Sequence, residues 1–342
     1  MARRRDILDY RVAQAVEVLT RKSTEEDEAS PAIRWYAKYM GTGERNLYKL
    51  VQRAINYGFK FGISMNYERI GIYLLHIVSE EDVSLDAPTK MVARTIDGKY
   101  MKSYYIPSQC AVDLAKELKE AGIEYYFARI VWGSRPALAS IPFLSLKSDT
   151  RIGDEKEKTM ETVAREVYTR GPPRIWGRKY PLDRLLLAII EEADNNAIRS
   201  VASIAKSLGI ETPKAQRKYY NLWARRVIMG YKVKCAPYCS KGSVFAVVST
   251  QEPIRLAYTL PVLPPVLSAS VFTDPATGRE AVLLHITGEG DMVARTLSIT
   301  KRLGGRVENL TYFYEEPMPE GFSLARQLVE EAGKELECPS LR

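Results

Sequence analysis

The chain writes one short phrase twice. Ala37-Lys38-Tyr39-Met40-Gly41 recurs as Ala205-Lys206-Ser207-Leu208-Gly209, an interval of 205 − 37 = 168 residues. With no gap, Leu47, Val51, Ala54, Ile55 and Phe59 then fall on Ala215, Tyr219, Leu222, Trp223 and Val227, and Gly62 falls on Gly230. Such a repeat constrains the fold more than composition does, because both copies must build the same supersecondary unit. The unit reads as a helix–turn–helix. We therefore expect a chain that is its own pseudo-dimer and presents two such units to double-stranded DNA.

The second copy is the clearer. Leu182, Leu185, Leu186, Ile189 and Ile190 recur at helical spacing, and Asp194-Asn195-Asn196 supplies turn formers at the end of that helix. Ser200 is suited to cap a second helix, Val201 to Leu208, which Gly209 closes. Thr212 is expected to cap a third helix with Pro213 in its first turn. On that helix Ala215, Tyr219, Leu222 and Trp223 share an apolar face. Lys214, Arg217, Lys218, Asn221 and Arg225 form a polar stripe with no acid in it. This division is what a recognition helix needs, with one side docked and long donors turned to a groove; an ordinary solvated helix face is the plain alternative. A strand at Val227 to Lys234, a turn at 236–242 and a strand at Ser243 to Val248 read as its wing.

The first copy is looser. Its first helix spans Ile7 to Arg21, its second Pro31 to Met40 and its third Glu44 to Tyr57. An acidic insert, Thr24 to Glu28, is expected as a solvated loop. Arg45, Asn46, Lys49 and Arg53 are the candidate DNA contacts. Arg3, Arg4 and Arg5 could reach phosphates or a minor groove as a basic arm, or form a tail without a specific role.

Beyond each unit come strands and helices. The first copy has strands at Ile70 to Val78, Met91 to Ile96, Tyr100 to Ile106 and Tyr125 to Trp132, and a helix at Ala111 to Ala121. Asp97-Gly98 marks a hairpin. The second has strands at Leu267 to Phe272, Glu280 to Ile286 and Val307 to Tyr314, and helices at Ile254 to Leu260 and Met292 to Leu303. The order is β-α-β-β-α-β, the ferredoxin-like arrangement. One sheet face is then left open, and the two copies can cover it for each other. Pro136 to Lys179 fits neither copy and holds a charged helix, Asp154 to Tyr168. An amphipathic helix at Gly321 to Leu336 is expected to cap the fold or mediate homo-oligomer contacts.

This layout resembles the Lrp/AsnC (feast/famine) transcriptional regulators, written as a tandem duplication. The resemblance is carried by Ser200 to Tyr231 and by Thr287-Gly288-Glu289-Gly290-Asp291. It implies an α+β fold with two winged helix–turn–helix domains and two ferredoxin-like (βαββαβ, RAM-like) domains in an internal pseudo-dimer. The expected division is 1–69 and 180–241 for the winged units, and 70–135 and 242–316 for the ferredoxin-like units. The connector is 136–179 and the C-terminal helix 317–342. It further implies a sequence-specific DNA-binding regulator with half-sites about 34 Å apart. A small-molecule effector, an amino acid, would sit at Gly288, Gly290 and Asp291. The first copy has Ile106-Pro107-Ser108-Gln109 in that place and departs from the pattern, which leaves its site open.

Composition narrows the alternatives. The net charge is +8 and the pI about 9.1, which favours polyanions and says nothing about fold. No apolar run reaches the roughly 20 residues of a membrane span, and Met1 to Asp6 is no secretory signal. We expect a cytoplasmic, nucleoid-associated protein. Four cysteines and two histidines supply no convincing zinc set, so no metal and no cofactor are expected. Cys235 and Cys239 read as two thiols in a turn or as a local disulfide.

Two other function classes stand beside the regulator. One is a non-specific architectural DNA- or RNA-binding protein, because phosphate contacts carry no sequence information. The other is the siroheme decarboxylases, which share this architecture and rely on histidine and arginine in the second domain. His76 and His285 each lie inside an apolar strand, and 285 − 76 = 209 matches no repeat interval. They read as satisfied core residues. No nucleophile–base constellation appears, so we expect no enzyme and no catalytic residue.

Overall fold

The computed structural model describes residues 10–26, 30–137, 152–175, 179–235, 242–288, 290–315 and 323–341. The first helical unit contains α1 (Tyr10–Glu17), which passes through a π turn into α2 (Ser23–Glu25), then α3 (Ile33–Ala37) and α4 (Glu44–Asn56). The strands β1 (Lys60–Asn66), β2 (Ile72–Ser79), β3 (Thr89–Thr95) and β4 (Tyr100–Pro107) follow, then α5 (Ala111–Glu120) and β5 (Glu124–Gly133). A long helix, α6 (Ile152–Arg170), precedes the second copy: α7 (Arg184–Asn195), α8 (Val201–Leu208), α9 (Thr212–Ala224), β6 (Ile228–Cys235) and β7 (Gly242–Ser249). After these come α10 (Pro253–Thr259), β8 (Val266–Thr273), β9 (Glu280–Thr287), α11 (Gly290–Arg302), β10 (Arg306–Glu315) and α12 (Leu324–Glu330).

Local chemistry sets the helix ends. Asp183 caps α7 by accepting from the Leu186 amide, and Ser200 caps α8 by accepting from the Ser203 amide. Gly209 closes α8 at φ 66°, a left-handed geometry that costs glycine nothing. Glu211, not Thr212, holds the cap position of α9; Thr212 and Pro213 begin the helix itself.

The strands pair in the order β2–β4–β3–β10–β7–β9–β8–β5, and β5 pairs back onto β2. Eight antiparallel strands thus close into a ring, which removes the free edges that open sheets must protect. β1 and β6 continue outward from β5. The two halves of the ring run in matching strand orders, β5–β2–β4–β3 and β10–β7–β9–β8, although residues 80–88 hold no counterpart of α10. Strand alternation gives every ladder two faces. Leu75, Ile77, Tyr104, Ile106 and Phe127 turn outward onto Leu114, Ala115 and Leu118 of α5. Val244, Ala246, Val248, Leu284 and Ile286 turn outward into a core shared with α6, α10 and α11. Val78, Ala93, Met101, Phe245, Val247, Leu283 and Phe313 turn inward.

The helical units do not stand apart. One core contains Val16, Leu19 and Leu47 from the first together with Leu186, Ile189, Leu222 and Trp223 from the second. Their junction is the β1–β6 ladder, where Ile63 faces Tyr231.

Several expectations need correction. β6 and β7 are not paired with each other as a wing; β6 pairs with β1 across the two copies, while β7 joins the ring. Thr24 is not in a solvated loop: Ser23 and Thr24 are buried where Gly230 of β6 packs on them. Asp194-Asn195-Asn196 does end α7, and Asp194 lies inside the protein there. The C-terminal helix is shorter than expected. Its Leu324, Ala325 and Leu328 are buried in the shared core, so its apolar face is used within the chain. A disulfide joins Cys110 to Cys338, 228 residues apart; the side chain of Cys235, and Cys239, lie outside the described residues. No helix among the described residues is long and apolar enough to cross a membrane.

Candidate active site

Both histidines of the chain enter the ring from opposite halves. His76 on β2 is the ladder partner of Ser103, and its Nδ1 lies 2.7 Å from Ser103 Oγ. His285 on β9 is the ladder partner of Phe245. The Phe245 ring stands between them, 5.7 Å from the His76 ring and 5.1 Å from the His285 ring, and Phe313 lies 5.2 Å from His285. Tyr126, the β5 partner of His76, stacks edge-on against Phe272 at 5.0 Å.

His285 is not the satisfied core residue that the sequence suggested, because its Nε2 is sealed from solvent and has no hydrogen-bond partner. Such a group carries a desolvation cost that native folds seldom leave standing. Burial among aromatic rings disfavours the charged imidazolium. It holds His76 down to about 4, with Lys90 adding to the shift. It holds His285 down to about 3, with His76 and Lys232 adding. At neutral pH both imidazoles are uncharged.

A groove of about 320 Å³ lies against β2, β5 and β10 beside the β3–β4 turn. Its walls include Val78 and Thr311; Val78 faces the interior and Thr311 is the ladder partner of Phe245. Ile96, Leu310 and Tyr312 form an apolar rim and are 76%, 39% and 49% exposed. Lys99 stands on the same rim, 3.7 Å from Asp97. Glu124 lies in the groove too; it accepts from Tyr126 Oη and, at 3.2 Å, from Asn309 Nδ2. Glu124 and burial together raise the Tyr126 phenol well above its ordinary range.

Sequence reasoning missed a second buried cluster entirely. Lys90 Nζ is 2.7 Å from both Tyr105 Oη and Glu191 Oε1, and Tyr105 Oη also bonds Glu191. Asp194 accepts from the Ile63 amide at 3.1 Å and from Lys232 at 2.9 Å, with Lys90 at 3.4 Å and Lys234 at 3.6 Å. Burial works against the Asp194 charge, yet Lys232, Lys234 and Lys90 hold its carboxyl well below the usual range. The cluster joins α7 of the second helical unit to β1, β3, β4 and β6. Gly62 packs against the cluster, where a Cβ would lie 2.5 Å from Asp194 Oδ1.

The expected DNA contacts divide. Arg45, Asn46, Lys49 and Arg53 on α4, Lys214 and Arg217 on α9, and Arg225 just after it are exposed. Lys218 is instead paired with Asp183, and Asn221 is half-buried. Glu44 and Tyr48 of α4 share the walls of one groove with Gln216 and Tyr220 of α9. Arg3, Arg4 and Arg5 lie outside the described residues. Gly288 takes φ 122°, and Gly290 and Asp291 are exposed at the start of α11.

No family model and no curated protein matches the chain. Solved structures do. The siroheme decarboxylase NirDL matches over 93% of this chain and 97% of its own, at 12% identity and a TM-score of 0.43. The same enzyme in complex with an iron-uroporphyrin III analogue matches over 88% and 90%, at 11% identity and a TM-score of 0.40. A transcriptional regulatory protein of the AsnC family from Pyrococcus furiosus matches over 43% of this chain and 98% of its own, at 17% identity and a TM-score of 0.24. The fold of this chain is mixed α+β with a large antiparallel sheet. The expectation that it is not an enzyme is corrected by these findings, because the matches spanning most of the chain are to an enzyme.

Proposed function

We propose that the chain is a decarboxylase acting on siroheme or a related tetrapyrrole that carries acetate arms, with the ring interior as its active site. The observation that supports this is the pair of buried histidines inside the ring, beside a groove whose rim carries Ile96, Leu310, Tyr312 and Lys99 together with the acids Asp97 and Glu124. The groove's volume suits one arm of a macrocycle, and Ile96, Leu310 and Tyr312 offer the flat remainder an apolar seat. Lys99 is suited to meet a carboxylate. Decarboxylation breaks the bond between the methylene carbon and the carboxylate. Carbon dioxide leaves, the electron pair stays on carbon, and a proton must arrive there to give a methyl group. A neutral imidazole can yield its N–H proton to so strong a base, and the unpartnered Nε2 of His285 makes it the preferred donor. Desolvation of the carboxylate in the apolar layer assists its loss.

The chain is further read as an internal pseudo-dimer of two winged helix–turn–helix and ferredoxin-like units. Two facts support this: the ring is joined twice by the same kind of contact, β3 with β10 and β5 with β8, and Ile63 and Tyr231 are partners at the repeat interval. Adding siroheme tests the main reading. A Soret-region shift followed by loss of one carbon dioxide per acetate arm is expected; an unchanged spectrum overturns it.

A second reading, nucleic-acid binding by α4 and α9, is supported by their exposed cations. As a regulator the chain would keep a large gap between its own promoter and random DNA in a shift assay with competitor, and would respond to an amino acid at Gly288, Gly290 and Asp291. Loss of that gap would leave the architectural role.

A further inference from the structure

The groove between α4 and α9 has a volume of about 380 Å³ and presents aromatic rings from both sides. Tyr48 on α4 is 47% exposed and Tyr220 on α9 is 49% exposed. Single exposed rings are ordinary, but here two border one cleft, and grouped apolar surface marks interaction sites. Arg45 and Lys49 flank Tyr48, while Lys214 and Arg217 precede Tyr220; all four are exposed. Glu44 lines the cleft and so disfavours phosphate inside it, but it leaves base faces and base amino groups acceptable.

We propose that this cleft binds single-stranded nucleic acid, with bases stacked on Tyr48 and Tyr220 and the phosphates following the four cations outside. The inference rests on the second reading above and sharpens it. Two helices entering successive major grooves of a duplex stand about 34 Å apart, whereas α4 and α9 meet at one small cleft. A single strand asks for what is present: rings whose faces accept any base, beside a cationic track.

The test is fluorescence anisotropy on the whole chain with a labelled oligo(dT) of about twelve nucleotides. The same length of oligo(dA)·oligo(dT) duplex and unlabelled heparin serve as comparisons. The single strand is expected to bind more tightly than the duplex and to resist displacement by heparin better than charge alone allows. The paired substitution Tyr48→Ala with Tyr220→Ala should weaken binding by about 25-fold or more, whereas Tyr48→Phe with Tyr220→Phe should retain it. Far-UV circular dichroism checks that the alanine pair folds, and Tyr48→Gln with Tyr220→Gln replaces it if not. Duplex binding equal to or tighter than single-strand binding overturns the inference while nucleic-acid binding survives. No binding to either overturns both, and an alanine pair of unchanged affinity removes the rings from the account. The siroheme assay is untouched by any of these outcomes.

Discussion

Ile63 and Tyr231 face each other in the β1–β6 ladder, and 231 − 63 = 168, the interval at which the helix–turn–helix phrase repeats. A residue and its own repeat counterpart are therefore neighbours. Around that point each strand packs on the other helical unit: Gly62 on Asp194, and Gly230 on Ser23 and Thr24. Tyr231 completes the exchange by donating to the Pro31 carbonyl at 2.6 Å and stacking at 4.9 Å on Trp223.

Gly230→Ala should be strongly destabilising. The added Cβ would lie 2.4 Å from Thr24 Oγ1 and 2.9 Å from backbone atoms, at φ 150°. Overpacking with backbone strain costs about 3 kcal/mol. Gly122→Ala, with φ 70° and open space around it, should cost about 1 kcal/mol. Urea denaturation of both variants checks the ranking; equal losses would remove the close packing at Gly230 from the account.

Asp194→Asn should cost about 3–5 kcal/mol, because it leaves Lys232 and Lys90 buried against a lost charge. The folded carboxyl is held below its ordinary value. Its contribution is therefore present above the unfolded value of about 3.9 and fades as pH falls below it through the folded one. Chemical denaturation between pH 6 and acid should show this slope in the parent chain and a flatter one in the variant.

The histidines give a second pH window with the same sign. Both folded values lie below the unfolded value of about 6.5. The unfolded chain binds the extra protons, so stability is full above that value and declines as pH falls toward about 4. His76→Phe should remove its share of the decline. Proton NMR of the imidazoles should show neither titrating between neutrality and about pH 5; a midpoint near 6.5 would mean that the rings are solvated.

Under the proposed reaction, His285→Phe should lower kcat by about 100-fold or more with siroheme binding retained, and Lys99→Ala should raise KM with little change in kcat. Steady-state carbon dioxide release measures both. A His285→Phe variant of full activity would exclude His285 as the proton donor.

Opening the Cys110–Cys338 bond with a reductant should lower unfolding stability by about 2–4 kcal/mol. The loss should begin at the C-terminal segment, where Leu341 bridges to Leu85. Limited proteolysis with and without reductant would locate it.

Much of this protein follows from local chemistry along the chain. Helical and strand periodicity, the caps at Asp183 and Ser200, and the closing glycine at 209 depend on neighbours within one or two turns, so α7, α8, α9 and most strands are legible without coordinates. The repeat interval and the exposed cations of α4 and α9 are legible for the same reason. What only the tertiary structure decided depends on residues far apart in sequence. Strand pairing placed β6 on β1 rather than on β7, and ring closure brought His76 and His285 around Phe245. The Asp194–Lys232–Lys90 cluster and the Cys110–Cys338 bond needed distant segments to meet. A buried charge or an unpartnered imidazole is defined by what surrounds it, and periodicity carries no record of surroundings.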